Sequence, residues 1–233
     1  MKSFPFPLAL IASGIAASFL TLAPAAPTKK PATKETPKAS QATEANSAKS
    51  EKPTHTLEPY CLALEPKVLQ TKVSQPMPGS KSTVLSPAKE TDVGLKMLSD
   101  EEWKALGMPW EDFLKKSRAA ALRLLQKITP QVVKDQRGIV EYLILTSDSP
   151  LTSSILLCPE LLPKVSETLG SDVVALVPDR FTIYLFPRKT GAFVKHGKEI
   201  AAIFATATYP SSEEAFELTE TSIKSIGSFN TGE

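Results

Sequence analysis

The polar residues best suited to chemistry lie in two short segments of the second half of the chain. Asp148, Ser153 and Ser154 surround the start of a predicted helix, where serine side chains cap free backbone N–H groups and where the same groups can bind an anion. Asp179 and Arg180 occupy a predicted hairpin turn. They could face a ligand beside Asp148 or form an exposed ion pair of little energetic value. We favour capping and the exposed ion pair, and keep all five as candidate binding residues.

A complete catalytic signature is absent from the sequence. There is no G-x-S-x-G motif and no S-x-x-K motif with its partner motifs, so the serines have no identifiable base. We therefore assign no catalytic residue and no cofactor. The alternative is a hydrolase-like enzyme with a site near Asp148, Ser153 and Arg180, which would require these side chains to converge in a deep pocket with shifted pKa values.

Metal-binding residues are sparse. The two histidines, His55 and His196, are interpreted as exposed polar residues, and neither an H-E-x-x-H nor a C-x-x-C motif is present. The run of Glu213, Glu214, Glu217 and Glu220 could hold a weakly bound cation but is more typical of a solvated face. We therefore predict no metal site.

Cys61 and Cys158 are the two cysteines of the chain. In an oxidising compartment such a pair is a candidate disulfide. The other interpretation is two separately buried thiols, because free cysteine is among the most buried residue types. The sequence leaves both open, with a slight preference for the free thiols.

Hydrophobic periodicity and turn residues indicate the elements that would hold these side chains. Ser99 and Glu102 fit a capping box at the start of a short helix that Gly107 ends. A long helix follows Pro109, with its apolar face on one core and Arg118 toward its basic end. A helix from about 151 to 169, broken into pieces by Pro159 and Pro163, ends at Gly170, and a last helix spans about 193–207. Predicted strands cover 57–64, 139–146, 172–177, 181–186, 216–218 and 223–226.

The order of these elements predicts an α+β fold with an antiparallel or mixed sheet and helices packed mainly on one face. Residues 65–90 are rich in proline, lysine and serine. They are interpreted as irregular loop with one short strand near Val84.

The N-terminal segment has the features of an export signal. Lys2 precedes an apolar run from Leu8 to Leu22, and Ala23-Pro24-Ala25 offers the small residues that signal peptidase requires. We predict a signal peptide over 1–25, with an uncleaved membrane anchor as the alternative, and no membrane span after cleavage. The protein would then be periplasmic or extracellular.

Residues 26–56 are interpreted as a disordered tether rich in lysine, proline, threonine and alanine, and residues 57–233 as one α+β domain. Residues 1–56 have a net charge of +4, so the domain carries −2 of the total of +2. A near-neutral domain argues against nucleic acid as a partner.

Three segments of the domain carry a resemblance to a known family. They are the helix from Phe113 to Leu125, the segment from Asp148 to Leu157, and the strand and turn from Val173 to Arg180. Together, over about 103–227, they resemble the C-terminal half of the YtpQ-like family of bacterial proteins. The acid of the turn is displaced here, and the family's N-terminal half is replaced by the signal and tether. The family has no assigned reaction, so the resemblance implies an order of elements and no chemistry.

These observations favour an exported, non-catalytic binding or interaction module. The expected partner is a protein or another component of the bacterial envelope or the extracellular space. Its ligand is not specified by the sequence.

Overall fold

The computed structural model describes residues 56–229. The predicted signal peptide, nearly all of the predicted tether and His55 lie outside this range. In chain order the strands are β1 (Cys61–Pro66), β2 (Gln75–Pro76), β3 (Thr83–Thr91), β4 (Gly94–Met97), β5 (Gln131–Lys134), β6 (Val140–Thr146), β7 (Val173–Asp179), β8 (Thr182–Pro187), β9 (Glu214–Leu218) and β10 (Ile223–Ser228). The α-helices are α1 (Asp100–Leu106), α2 (Trp110–Lys127), α3 (Leu161–Leu169) and α4 (Ala192–Thr206).

A six-stranded antiparallel sheet in the order β10-β9-β7-β8-β6-β5 forms the centre of the fold. Side chains of β7 alternate between its two faces. Val173, Ala175 and Val177 contribute to the main core beneath α2 and α3. Val174 and Leu176 pack beneath α4. The predicted α+β class with antiparallel pairing is confirmed; most helical residues share the first face, and α4 covers the second.

A smaller antiparallel sheet is built around β3, with β1 on one side and β2 and β4 on the other. Leu62 and Leu64 of β1 extend the main core. Strand β3 is nine residues long, so the predicted loop over 65–90 contains much more strand than expected. The full length of this strand was not predicted because it contains Pro87. This proline falls between the stretches of β3 that pair with β2 and with β4, so no ladder hydrogen bond requires the N–H that it lacks.

The predicted helix over 151–169 consists of two different pieces. A 3-10 helix spans Thr152–Leu157, and α3 follows after Pro159. Pro163 does not break α3, because as its third residue it occupies the first turn, where N–H groups have no partner within the helix. The capping box of Ser99 and Glu102 is confirmed, with both reciprocal hydrogen bonds formed.

Candidate functional site

Arg180 is buried and does not form the expected ion pair with Asp179. Its guanidinium Nη2 lies 2.8 Å from Oε1 of Glu65 on β1, and both residues are nearly excluded from solvent. The guanidinium also lies 5.1 Å from the ring centroid of Tyr209. Asp179 instead accepts a hydrogen bond from the Phe181 backbone N–H. The Glu65–Arg180 pair therefore joins the small sheet to the β7–β8 turn of the large one.

The two serines lie inside the domain, and neither side chain caps the 3-10 helix. Ser154 Oγ donates a hydrogen bond to the backbone carbonyl of Leu62 on β1. Ser153 Oγ has no hydrogen-bond partner among the described residues. The capping interpretation is therefore wrong: the 3-10 helix is anchored by its backbone, with Ser153 N–H donating to the Arg180 carbonyl.

Asp148 lies on a pocket of about 540 Å³ that Arg180 also lines, together with Asp92, Phe181 and Tyr209. The structure thus brings Asp148 and Arg180 to one pocket, while Ser153 is fully buried. The guanidinium of Arg180 is already occupied by Glu65. No base contacts Ser153 in the described part of the chain, so the three residues form no catalytic arrangement there.

The two cysteines are free and buried. Cys61 packs with Ala88 and Leu151, whereas Cys158 belongs to the main core. Burial raises the pKa of each thiol to about 12. Both thiols therefore stay protonated at neutral pH, which makes them poor nucleophiles.

His196 is packed between aromatic rings and is not the exposed residue expected. Its ring centroid lies 4.9 Å from that of Tyr142 and 5.9 Å from that of Phe186. Its nitrogens lie 3.7 Å from a Glu141 oxygen and 3.5 Å from a Glu199 oxygen. Within residues 56–229, no group of three or more His, Cys, Asp or Glu side chains could hold a metal ion.

Two glutamates of the acidic run, both on β9, make specific contacts within the domain, whereas Glu220 is exposed as expected of a solvated face. Glu214 is buried and accepts hydrogen bonds from the Lys81 N–H and from the hydroxyls of Ser80 and Thr83. Glu217 forms ion pairs with Arg188 and Lys224. These two glutamates therefore hold parts of the domain together.

A second pocket, which the sequence analysis did not identify, has the properties of a ligand site. Its volume is about 520 Å³, within the range of roughly 300–1,000 Å³ typical of small-molecule pockets. We call it the Arg118 pocket. It lies between β2, α2, the start of α3 and the turn from β9 to β10, and its apolar walls are formed by Met77, Leu85, Trp110, Leu114, Leu157, Leu162, Leu218 and Ile223.

Helix α2 presents three of the lining residues at a spacing of four. Trp110, Leu114 and Arg118 follow one another along one stripe of the helix, because residues four apart stack on the same side. The sequence shows this spacing. However, the same periodicity also fits a helix whose apolar face packs on a core, with Arg118 as a favourable charge toward the helix C-terminus. A cation on an apolar stripe was the signal that could have identified the pocket.

Arg118 makes no side-chain hydrogen bond and no ion pair with any described residue, and its Nε atom is buried. A guanidinium has five donors, and leaving a buried donor unpaired costs about 1–3 kcal/mol. The other charged residue of the pocket is Glu220, which is exposed on the β9–β10 turn. The pocket therefore combines apolar walls with one cation that has no partner among the described residues.

Neither the thiol nor the hydroxyl groups that line the Arg118 pocket are arranged for nucleophilic catalysis. Cys158 lines it, but as a protonated thiol. The turn contributes Thr219, Thr221 and Ser222, and Thr219 and Ser222 hydrogen-bond to each other. The described residues thus provide a surface for binding and no pair of nucleophile and base.

No family model, curated protein or solved structure matches the chain. The resemblance to the YtpQ-like family stays a prediction. Among the described helices, none has the length and apolar character needed to cross a membrane.

Proposed function

We propose that this protein is an exported, non-catalytic binding module and that its ligand occupies the Arg118 pocket. The observation that carries the proposal is a pocket of about 520 Å³ with apolar walls and an unpaired guanidinium. Buried apolar surface supplies affinity, and a few fixed polar groups supply specificity, which is the usual design of a small-molecule site. The export signal and tether predicted from residues 1–56 support a location of that site in the envelope or outside the cell.

The pocket lined by Asp148 and Arg180 is a weaker candidate for the ligand site. Arg180 there is already paired with Glu65, and Ser153 is fully buried with no base beside it. Asp148, Ser153 and Arg180 therefore do not support the hydrolase-like alternative.

Filling the Arg118 pocket tests the proposal. Leu114 is half-buried and lines the pocket, whereas its neighbour Lys115 is exposed and does not. We expect the uncharged apolar dye Nile red to bind the purified protein in a 1:1 ratio. Leu114→Trp should reduce its affinity by about tenfold or more, since the larger side chain occupies the space of the ligand.

Lys115→Trp is the matched control, because it adds the same indole to the same helix outside the pocket. It should bind the dye as the wild type does. Urea unfolding of both variants checks that they remain folded. If the wild type failed to bind, or if both variants bound equally, the pocket would not be the ligand site.

A further inference from the structure

We infer that the ligand of the Arg118 pocket is a small amphipathic carboxylic acid, held by its carboxylate at Arg118 and by an apolar chain along the pocket walls. This inference rests on the proposed function, since it assigns the chemistry of the ligand to the same pocket.

The charge of the ligand follows from Arg118. Its guanidinium has no partner among the described residues, and its Nε is closed off from solvent. A carboxylate can accept two parallel N–H bonds from a guanidinium, and such charge-assisted bonds are about twice as strong as neutral ones. A cationic ligand would instead add a second positive charge beside a guanidinium whose Nε is buried and which has no partner among the described residues.

The apolar part of the ligand follows from the walls. Met77, Leu157 and Leu162 are buried, and Trp110, Leu114 and Ile223 are half-buried around the same space. Each buried methylene of a ligand contributes about 0.8 kcal/mol. A chain of several methylenes is therefore favoured over a compact polar anion such as phosphate.

The size of the pocket favours a small molecule over a protein. Its volume of about 520 Å³ is typical of small-ligand sites. Protein–protein interfaces instead extend over roughly 800 Å² on each partner. Glu220 on the exposed turn is the other charge at this pocket, and its carboxylate opposes an anion, so its removal should strengthen binding.

The experiment measures displacement of Nile red from the full mature chain by decanoate, decanol and decylamine, which share a ten-carbon chain and differ in the head group. Decanoate should displace the dye at a concentration about tenfold or more below that of decanol, as expected for a charge-assisted hydrogen bond. Decylamine should be the weakest of the three. Equal displacement by decanoate and decanol would overturn the inference while leaving the proposed function intact.

Two substitutions assign the preference to Arg118. In Arg118→Met, the concentrations of decanol and decanoate that displace Nile red should become nearly equal. Arg118→Lys should give an intermediate ratio of these concentrations, because lysine keeps the charge without the planar fork. Glu220→Gln should raise decanoate affinity. Urea unfolding confirms that each variant is folded. An unchanged ratio in Arg118→Met would overturn the inference.

The carboxylate could also come from the C-terminus of a protein. A short peptide with an apolar C-terminal residue, used as the free acid and as the amide, distinguishes this source from a small acid. The free acid should bind more weakly than decanoate. Tighter binding of the peptide acid would overturn the small-acid assignment and indicate recognition of protein C-termini. Failure of the wild type to bind Nile red or any of the acids would overturn the proposed function itself.

Discussion

Arg180 shows at the scale of single residues how a side chain near a turn can be part of the interior. Its Nη2 lies 2.8 Å from Oε1 of Glu65, 115 positions away in the chain. Glu65 Oε2 and Arg180 Nε have no further partners among the described residues. Burying two charges costs several kcal/mol of desolvation, which their attraction offsets only while both are present.

Removing one partner of this pair should therefore be costly. We predict that Arg180→Met or Glu65→Leu alone lowers the free energy of unfolding by about 3–5 kcal/mol, because a buried charge is left unpaired. The double variant Glu65→Leu/Arg180→Met should lose much less than the sum of the two single changes. Urea unfolding of the four proteins gives the coupling free energy directly.

An exposed pair provides the comparison. Arg137 pairs with Asp135 at 2.9 Å, but its side chain is 77% exposed. Arg137→Met should lower the free energy of unfolding by at most about 1 kcal/mol. Additive losses at Glu65 and Arg180 would show that the two side chains are not coupled.

The sequence predicted well which local element each of these residues belongs to, and poorly which distant side chains each one contacts. It placed Asp179 and Arg180 together in a hairpin turn, but Asp179 is the last residue of β7 and the turn consists of Arg180 and Phe181. It also predicted that the two side chains would pair with each other. Glu65 could not be identified as the partner, because pairing across 115 positions depends on how two sheets meet. Arg118 was missed for a related reason: the four-residue spacing from Trp110 was visible, but the opposite walls of its pocket come from β2, α3 and the β9–β10 turn.

At the scale of elements, most local signals were reliable, although Ser153 and Ser154 do not cap a helix and Pro163 does not break one. The capping box at Ser99, the β7–β8 hairpin and the periodicity of α2 all depend on neighbours within a few positions, and the structure has each of them, with the hairpin turn at 180–181. The larger errors occurred where tertiary contacts decide: β3 contains Pro87 and many polar residues, yet most of its residues are buried, and β1 and β4 pair with it on opposite sides. β5 was likewise not predicted.

The segment before β3 is joined to the large sheet by Glu214 of β9. Its carboxylate accepts hydrogen bonds from the Lys81 N–H at 2.8 Å, from Thr83 Oγ1 at 2.7 Å and from Ser80 Oγ. Gly79 allows this approach, because its φ of 72° suits glycine and an added Cβ would lie 3.0 Å from the Ser225 carbonyl. One carboxylate thus joins the two sheets.

This arrangement predicts a pH-dependent stability. Burial by itself raises the pKa of Glu214, but the hydrogen bonds from Ser80, Lys81 and Thr83 outweigh it, so the pKa lies below the ordinary value of 4.5. A lowered folded-state pKa contributes stability that is fully present above the unfolded value and is lost as the pH falls through the folded one. Glu214→Gln should lower the free energy of unfolding at pH 7 by about 1–3 kcal/mol.

The difference in the free energy of unfolding between Glu214→Gln and the wild type should shrink as the pH falls from about 5 toward the folded-state pKa of Glu214. The reason is that the wild-type carboxyl then becomes neutral as well. Urea unfolding across this pH range measures the difference. Glu220→Gln, at an exposed position of the same acidic run, should show almost none. A difference that stayed constant with pH would mean that the charge of Glu214 is not responsible.

At the scale of the whole molecule, composition divides the chain into a folded part and a part without core-forming residues. Residues 27–53 contain no aromatic residue and no leucine, isoleucine or valine, a composition that predicts a segment without a hydrophobic core of its own. From Cys61 onward, apolar residues recur and pack into the main core and the core beneath α4. The binding module we propose is this second part, carried on a basic tether.

We predict that the protein is exported and cleaved after Ala25, so that its mature form begins at Ala26. Small residues at 23 and 25 fit the signal peptidase pattern, and the apolar run before them is shorter than the roughly 20 residues of a membrane span. Fractionation of cells and N-terminal sequencing measure both properties. A chain that retains Met1 in the membrane fraction would support the uncleaved anchor instead.

Mild proteolysis of the mature protein should leave a stable core that begins near residue 55, since the tether is expected to be accessible to protease and the domain is not. A protected fragment that begins before residue 40 would contradict the predicted tether.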